Sequence, residues 1–119
     1  MDDQSEPLSA PLRVDAIRTD DVVHVAIAGE VDMATADTLS EALRSAIAAG
    51  PTRRVVIDLA EVTFLASSGI SALIRAHHLA SAQQATLTVI NCPPIIAEIL
   101  ELTGVARTLM PAGEPSRQA

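Results

Sequence analysis

Apolar residues recur along the chain at the two-residue spacing of strands and at the three- and four-residue spacing of helices. Alternation of apolar and polar positions predicts a strand with one buried face. In contrast, the closely spaced apolar residues of the segment VVIDL, residues 55–59, favour a central strand covered on both faces. A short acidic connection after this run is expected to return the chain to the core at Phe64 and Leu65. Strands are predicted at residues 12–16, 22–28, 55–59 and 86–90, with a short edge strand at 105–110.

Helical spacing fills the segments between these strands. Asp32 or Thr35 is expected to cap the first helix, and Ser67 or Ser68 the second, because a side-chain oxygen at this place accepts a hydrogen bond from a free first-turn N–H group. Helices are predicted from the Asp32–Thr35 segment to Gly50, from the Ser67–Ser68 pair to about residue 81, and from Pro93 to Gly104.

The order of these elements is strand, strand, helix, strand, helix, strand, helix. It predicts a single α/β domain in which three to four helices pack on a small mixed sheet. The domain is expected to span residues 12–110. Residues 1–11 and 111–119 are rich in polar residues and proline, and we expect them to be flexible tails.

Composition narrows the class of protein. A net charge of −7, one aromatic residue and no lysine argue against binding of nucleic acid, which relies on cationic and stacking side chains. No apolar run reaches the roughly 20 residues that cross a bilayer, and no export signal is recognisable. A single cysteine, Cys92, cannot form an internal disulfide. We therefore expect a cytoplasmic protein with no membrane insertion.

The serine turn, Ala66–Gly69, precedes the second helix, as the nucleophilic serine of a hydrolase can. The surrounding residues do not match a catalytic site. A nucleophile elbow reads G-x-S-x-G, but no glycine lies two residues before Ser67. His77 and His78 lie about 15 Å further along the same helix, too far to act as a base, and adjacent histidines make a poor metal site. Nothing resembles a phosphate-binding loop. No enzymatic activity, cofactor or metal is expected. Cys92, beside Pro93 at a helix start, is expected to be structural, although a helix N-terminus can lower the pKa of a thiol.

Two motifs, taken together, resemble a known family. The segment GEVDMATADTL at Gly29–Leu39 and the segment VVIDLAEVTFLASSGISAL at Val55–Leu73 are similar to the STAS domain of bacterial anti-sigma factor antagonists. The resemblance covers almost the whole chain, with the motifs in the family's order. It implies an α/β fold of the type that the hydrophobic pattern predicts independently.

The resemblance also implies a function. In this family the first serine of the pair before the glycine is phosphorylated by the anti-sigma factor, which is itself a serine kinase, and that residue corresponds to Ser67. The unphosphorylated protein binds the anti-sigma factor and frees the sigma factor, and a serine phosphatase restores the cycle. The expected neighbours of the site are Glu30, Asp32, Thr35, Ser68 and Gly69.

One residue departs from the family pattern. The family commonly has Asp directly before the phosphorylated serine, where this chain has Ala66. The change removes a charge that helps a kinase to orient the hydroxyl, but it also removes repulsion against a phosphate. Two alternatives stay open: Ser67 and Ser68 serve only as helix caps, or the chain is a STAS-type cytoplasmic accessory subunit of a membrane transport system.

Overall fold

A computed structural model describes residues 12–110, which form a four-stranded sheet and four helices; the predicted tails lie outside the described residues. The predicted α/β fold with a small mixed sheet and three to four helices is confirmed. The elements in chain order are β1 (Arg13–Thr19), β2 (Val22–Val31), α1 (Ala36–Ala48), β3 (Arg54–Leu65), α2 (Ser67–Ala82), β4 (Thr86–Ile90), α3 (Pro94–Leu102) and α4 (Ala106–Leu109).

The strands lie in the sheet in the order in which they occur in the chain. β1 and β2 form an antiparallel hairpin, and Asp20 adopts a left-handed conformation in its turn, with a φ of +57°, which aspartate tolerates better than most residues. β2, β3 and β4 are parallel. The carboxyl ends of these three strands therefore meet at one edge of the sheet, and α1 and α2 begin there.

One face of the sheet carries the core. Val25, Ile57 and Val89 lie side by side on the three parallel strands and are almost completely buried, and all four helices contribute to the same hydrophobic cluster. On the opposite face His24 is exposed and Val56 is half-buried. β3 is a central strand, as predicted. The prediction that it is covered on both faces was wrong, because a run of closely spaced apolar residues does not reveal which of them face solvent.

β2 and β3 both continue beyond their predicted ends. β3 is one strand of 12 residues rather than a strand followed by a connection, and Leu65 still pairs with Val31. Two register shifts between β2 and β3, one of them directly after Gly29, place extra residues in β3. They break the two-residue burial period of β3, whereas β2 alternates to Val31. Gly29 has a φ of +102°, a conformation that disfavours a side chain. The irregular pairing explains why the end of β3 did not resemble a strand in the sequence.

The predicted edge strand at residues 105–110 is instead a helical turn. Gly104 ends α3 with a φ of +78°, and α4 follows from Ala106 to Leu109. Leu109 is fully buried in the shared core. Six residues are too few to distinguish strand alternation from a single helical turn by their apolar pattern.

Arg18 connects the β1–β2 hairpin to the end of α1. Its guanidinium donates hydrogen bonds to the main-chain oxygen of Ala46 at 3.0 Å, to Thr52 Oγ1 at 2.9 Å and to the main-chain oxygen of Pro51. The last turn of α1 contains no basic residue. Arg18 therefore supplies, from another element, the cation that a helix C-terminus favours.

We expect Arg18→Ala to lower the free energy of unfolding by about 2 kcal/mol, because charge-assisted bonds to half-buried carbonyl groups are lost. Arg18→Lys keeps the charge but not the planar arrangement of donors, so we expect it to lower the free energy of unfolding by less than Arg18→Ala does. Urea unfolding monitored by circular dichroism measures both. Arg13→Ala, at an exposed position of the same strand, should change stability by less than about 0.5 kcal/mol; equal losses for Arg13 and Arg18 would contradict this role.

Candidate functional site

The candidate site lies where the carboxyl ends of β2 and β3 meet. The main-chain N–H of Ala66 donates a hydrogen bond of 2.8 Å to the main-chain oxygen of Val31, which holds the serine turn against the end of β2. α2 then begins at Ser67, whose side chain is exposed. The segment Gly29–Asp32, which we call the GEVD turn, is far from the serine turn in sequence, and the two are neighbours at this edge.

The start of α2 has no side-chain cap. Ala66 occupies the N-cap position and has no side-chain group that can accept a hydrogen bond, so the prediction that Ser67 or Ser68 caps the helix was wrong. Ser67 is already the first helical residue, one position beyond the place from which a hydroxyl reaches the first-turn N–H groups. No acidic residue lies in the first turn. The positive end of α2 is consequently free to interact with an added anion.

Ser68 and Gly69 face the body of the domain. Ser68 is half-buried, and its Oγ is inaccessible to solvent and has no hydrogen-bond partner within residues 12–110. Gly69 is buried, and a Cβ atom placed on it would lie 2.8 Å from Leu65 Cδ1 and closer still to Val31 Cγ1. The absence of a side chain at Gly69 allows α2 to start directly against the ends of both strands.

The predicted neighbours Glu30, Asp32 and Thr35 form a tight turn before α1. Asp32 Oδ1 accepts hydrogen bonds from the main-chain N–H groups of Ala34 at 3.0 Å and Thr35 at 3.1 Å. Thr35 Oγ1 accepts from the Asp32 N–H at 3.0 Å and donates to the main-chain oxygen of Glu30 at 3.1 Å. Asp32 and Thr35 therefore fix the shape of the turn; no hydrogen bond joins any of the three side chains to Ser67 in the described part of the chain.

Two apolar side chains near this edge were missed by the sequence reasoning. Met33, directly after the GEVD turn, is 82% exposed, and Phe64, near the end of β3, is 48% exposed. Phe64 pairs with Glu30 in the sheet, so it is close to the same turn, and its prediction as a core residue was wrong. A large apolar residue between Asp32 and Ala34 in a polar turn was the available signal for Met33.

The histidines do not complete a catalytic arrangement with Ser67. α2 is continuous from Ser67 to Ala82, so His77 lies about 15 Å along the helix axis from the serine. His77 is half-buried with an unpartnered Nδ1, and His78 is exposed. Among residues 12–110, no three histidine, cysteine, aspartate or glutamate side chains are grouped closely enough to hold a metal ion.

The position of Cys92 at a helix start does not lower the pKa of its thiol. Burial raises the pKa of the thiol to about 11, and its Sγ lies 3.7 Å from Met110 Sδ. The thiol packs against the core cluster before α3, where desolvation outweighs the effect of the helix end. This burial agrees with the expected structural role. Cys92 is therefore a packing residue in the neutral form.

This pKa makes stability depend on pH in a defined window. The folded protein holds the thiol proton more tightly than the unfolded chain, so the contribution is fully present below pH 9 and is lost as pH rises towards 11. The sequence has no lysine or tyrosine to titrate in the same range. We expect the free energy of unfolding to fall between pH 9 and 11, as measured by urea titrations, and to stay nearly level in Cys92→Ala. A parallel fall in both proteins would assign the effect to another group.

In the described part of the chain, no helix has both the length and the apolar character required to cross a membrane.

Comparison with known proteins places this geometry in context. The STAS domain model matches residues 13–117. The structure is similar to that of an anti-sigma factor antagonist from Mycobacterium paratuberculosis, with 30% identity and a TM-score of 0.75 over 93% of this chain and 97% of that one. The Bacillus cell fate determinant SpoIIAA in its phosphorylated form has 16% identity and a TM-score of 0.64 over 91% of this chain and 98% of that one. The anti-sigma factor antagonist SpoIIAA in its unphosphorylated form has 20% identity, the same TM-score, and coverage of 91% and 93%. The likeness to SpoIIAA concerns the fold alone.

Proposed function

The chain belongs to the STAS domain family, and from this membership we propose that it is an anti-sigma factor antagonist. In this proposal it binds an anti-sigma factor that is a serine kinase-like ATPase and so releases a sigma factor. Phosphorylation of Ser67 switches the binding off, and a serine phosphatase restores it. The protein acts in the cytoplasm by protein–protein contact, without catalysis of its own and without contacting nucleic acid.

The observation that carries the proposal is the position of Ser67. Its hydroxyl is exposed at the start of α2, and it does not serve as the helix cap. The competing hypothesis that the serine pair exists to cap the helix therefore loses its support. An accessible hydroxyl with no structural task is available to a kinase, and a similar fold is known in a phosphorylated form, that of SpoIIAA.

The fold can accept a phosphate at Ser67 without unfolding. A phosphoryl group adds a charge of about −1.5 to −2, and the start of α2 presents free N–H groups and no first-turn acid to oppose it. Ala66, where the family commonly has Asp, removes one source of repulsion. Phosphorylation therefore weakens the complex with the partner and does not lower the stability of the domain.

The surface beside Ser67 is suited to a protein partner. Met33 and Phe64 expose apolar area close to the GEVD turn, and exposed large side chains of this kind serve as anchors in protein interfaces. A partner that covers them would lie against the same edge of the sheet at which α2 begins with Ser67. A phosphate there would be desolvated by the partner and repelled by any of its acids.

Affinity capture from the source organism's extract tests the proposal. Tagged wild type and Ser67→Ala should retain a kinase-like ATPase, identified by mass spectrometry, and Ser67→Asp should lose it. Ser45→Asp provides a matched control, since it adds the same charge at an exposed position in the last part of α1. The retained ATPase should phosphorylate wild type at Ser67 and leave Ser67→Ala unmodified.

Two results would contradict the proposal. Retention of the ATPase by Ser67→Asp and wild type alike would remove the switch. Capture of a permease and its ATPase by every variant would favour the alternative function, a cytoplasmic accessory subunit of a membrane transport system.

A further inference from the structure

A second surface, away from Ser67, has the features of a docking site. A groove of about 310 Å³ runs between α1 and α2, and we refer to it as the basic groove. It is lined by Ser40, Arg44, Arg75, Ala76 and Leu79. Arg75 and Leu79 lie 8 and 12 residues beyond Ser67, which places the groove about 12–18 Å along the axis of α2 from the serine.

The groove combines cations with an apolar floor. Ala76 is buried and Leu79 is half-buried, whereas Arg44 and Arg75 are exposed at its sides. Arg44 forms an ion pair with Glu41 on the same helix. Arg75 donates only a long hydrogen bond of 3.4 Å to the Ser40 hydroxyl, and no carboxylate among residues 12–110 lies within ion-pair distance of it. The lining of the groove therefore contains two cations and no acid, with Glu41 offsetting part of the Arg44 charge, on a chain whose net charge is −7.

This charge pattern selects the occupant. A carboxylate group can lie between two guanidinium groups while an adjacent aliphatic side chain covers Leu79, which requires both acidic and apolar residues on one face of the ligand. The acidic character of the rest of the protein repels such a ligand elsewhere and orients it towards the groove.

The shape of the groove favours a helix over the other possible ligands. Its walls are two helices, whose mid-helix N–H and C=O groups are already paired, so an added β-strand would find no main-chain partners. A volume of about 310 Å³ is at the lower limit for small-molecule pockets, and two exposed arginines cannot enclose most of a small ligand. A helix can pack along the depression between α1 and α2, on the outer side of the layer that these two helices form.

From these observations we propose that the basic groove docks an acidic amphipathic helix of a partner protein, with carboxylates on Arg44 and Arg75 and an aliphatic side chain on Leu79. This site is independent of the phosphorylation switch. The groove provides a second attachment point, either for the partner that binds at Ser67 or for a different partner.

A synthetic peptide tests the proposal without knowledge of the natural partner. The probe is a peptide of about 16 residues with blocked termini, long enough for appreciable helicity. In its sequence two glutamates lie four residues apart, and a leucine lies between them. The full-length ¹⁵N-labelled chain is titrated with it. We expect amide shifts centred on the groove residues and weaker binding as NaCl rises from about 20 to about 500 mM.

Matched variants define the outcome. Arg44→Gln/Arg75→Gln should weaken binding about ten-fold, since each exposed charge pair is worth up to about five-fold. Arg54→Gln/Arg107→Gln changes the charge equally at exposed positions outside the groove and should leave the affinity within about two-fold. A second peptide with glutamine in place of every glutamate should bind at least about five-fold more weakly.

Several results would overturn the docking site. These are the absence of shifts at millimolar peptide, equal binding of the two peptides, equal effects of the two double variants, and shifts centred on Ser67 and Met33 instead of the groove. Identical shifts with inorganic phosphate alone would assign the groove to a small anion rather than to a helix. None of these results bears on the phosphorylation switch, because no variant changes Ser67 or its turn.

Discussion

Replacing Gly69 with alanine is expected to lower the free energy of unfolding by about 2–3 kcal/mol. The new Cβ would lie 2.8 Å from Leu65 Cδ1 and closer to Val31 Cγ1, separations that real Cβ atoms essentially never show. Leu65 can move the end of its side chain, but Val31 is β-branched and stiff, and its carbonyl is bonded to the N–H of Ala66. The steric cost should exceed the gain of about 1 kcal/mol in helix propensity.

A double-mutant cycle with Val31 identifies the cause. In a Val31→Ala background the obstructing methyl group is gone, so Gly69→Ala should cost less than about 0.5 kcal/mol and the coupling energy should exceed about 1.5 kcal/mol. Gly50→Ala is the control, since its Cβ would meet only the Arg18 side chain at an ordinary 3.4 Å. Guanidinium unfolding of all the variants measures these quantities. An equal cost of Gly69→Ala in both backgrounds would show that contact with Val31 is not responsible.

The order of the elements was predicted well from the sequence, because this order depends on strong local signals. Alternation in β2 and β4, and helical spacing in α1, each extend over enough residues to distinguish the two periods. Prolines before α3 and glycine after it mark that helix at both ends. These signals, together with the two family motifs, are sufficient to place Ser67 at the carboxyl edge of a parallel sheet.

The errors arose where pairing between strands overrides the local pattern. Phe64 and Leu65 are adjacent, and only the register of β3 with β2 decides which of them is buried. The hydroxyl of Ser67 was expected at a cap, but Ala66 occupies that position, and a shift of one residue is beyond what sequence spacing can resolve. The pKa of Cys92 is likewise set by burial in the folded domain, which the local sequence does not reveal.

The basic groove could not be predicted for a related reason. Arg44 and Arg75 lie on different helices, and their convergence depends on how α1 packs against α2. Each arginine alone resembles an ordinary solvent-exposed residue of a helix. Sites of this kind become visible only when the packing of two elements is known, whereas the serine turn is contained in one continuous segment.

Under the proposed function, phosphorylation of Ser67 should weaken binding to an anti-sigma factor by at least about 100-fold, which corresponds to about 2.7 kcal/mol. A surface that fits the small hydroxyl at the start of α2 would have to desolvate about two negative charges and make room for three oxygens. Isothermal titration of the purified anti-sigma factor with phosphorylated and unmodified protein measures the change. Ser67→Glu, with one charge, should produce a smaller loss, and Ser67→Ala should bind within about three-fold of wild type.

The stability of the phosphorylated protein distinguishes a local switch from unfolding. Because the free N–H groups at the start of α2 favour an anion, the modified protein should unfold at the same urea concentration as wild type or slightly above it. Loss of binding with unchanged stability would place the whole effect at the interface. If phosphorylation instead lowered stability by more than about 1 kcal/mol, the charge would be acting through α2 and its packing on Val31, and Gly69→Ala should then impair binding by the same route. Unchanged binding together with unchanged stability would show that the partner does not cover Ser67 at all.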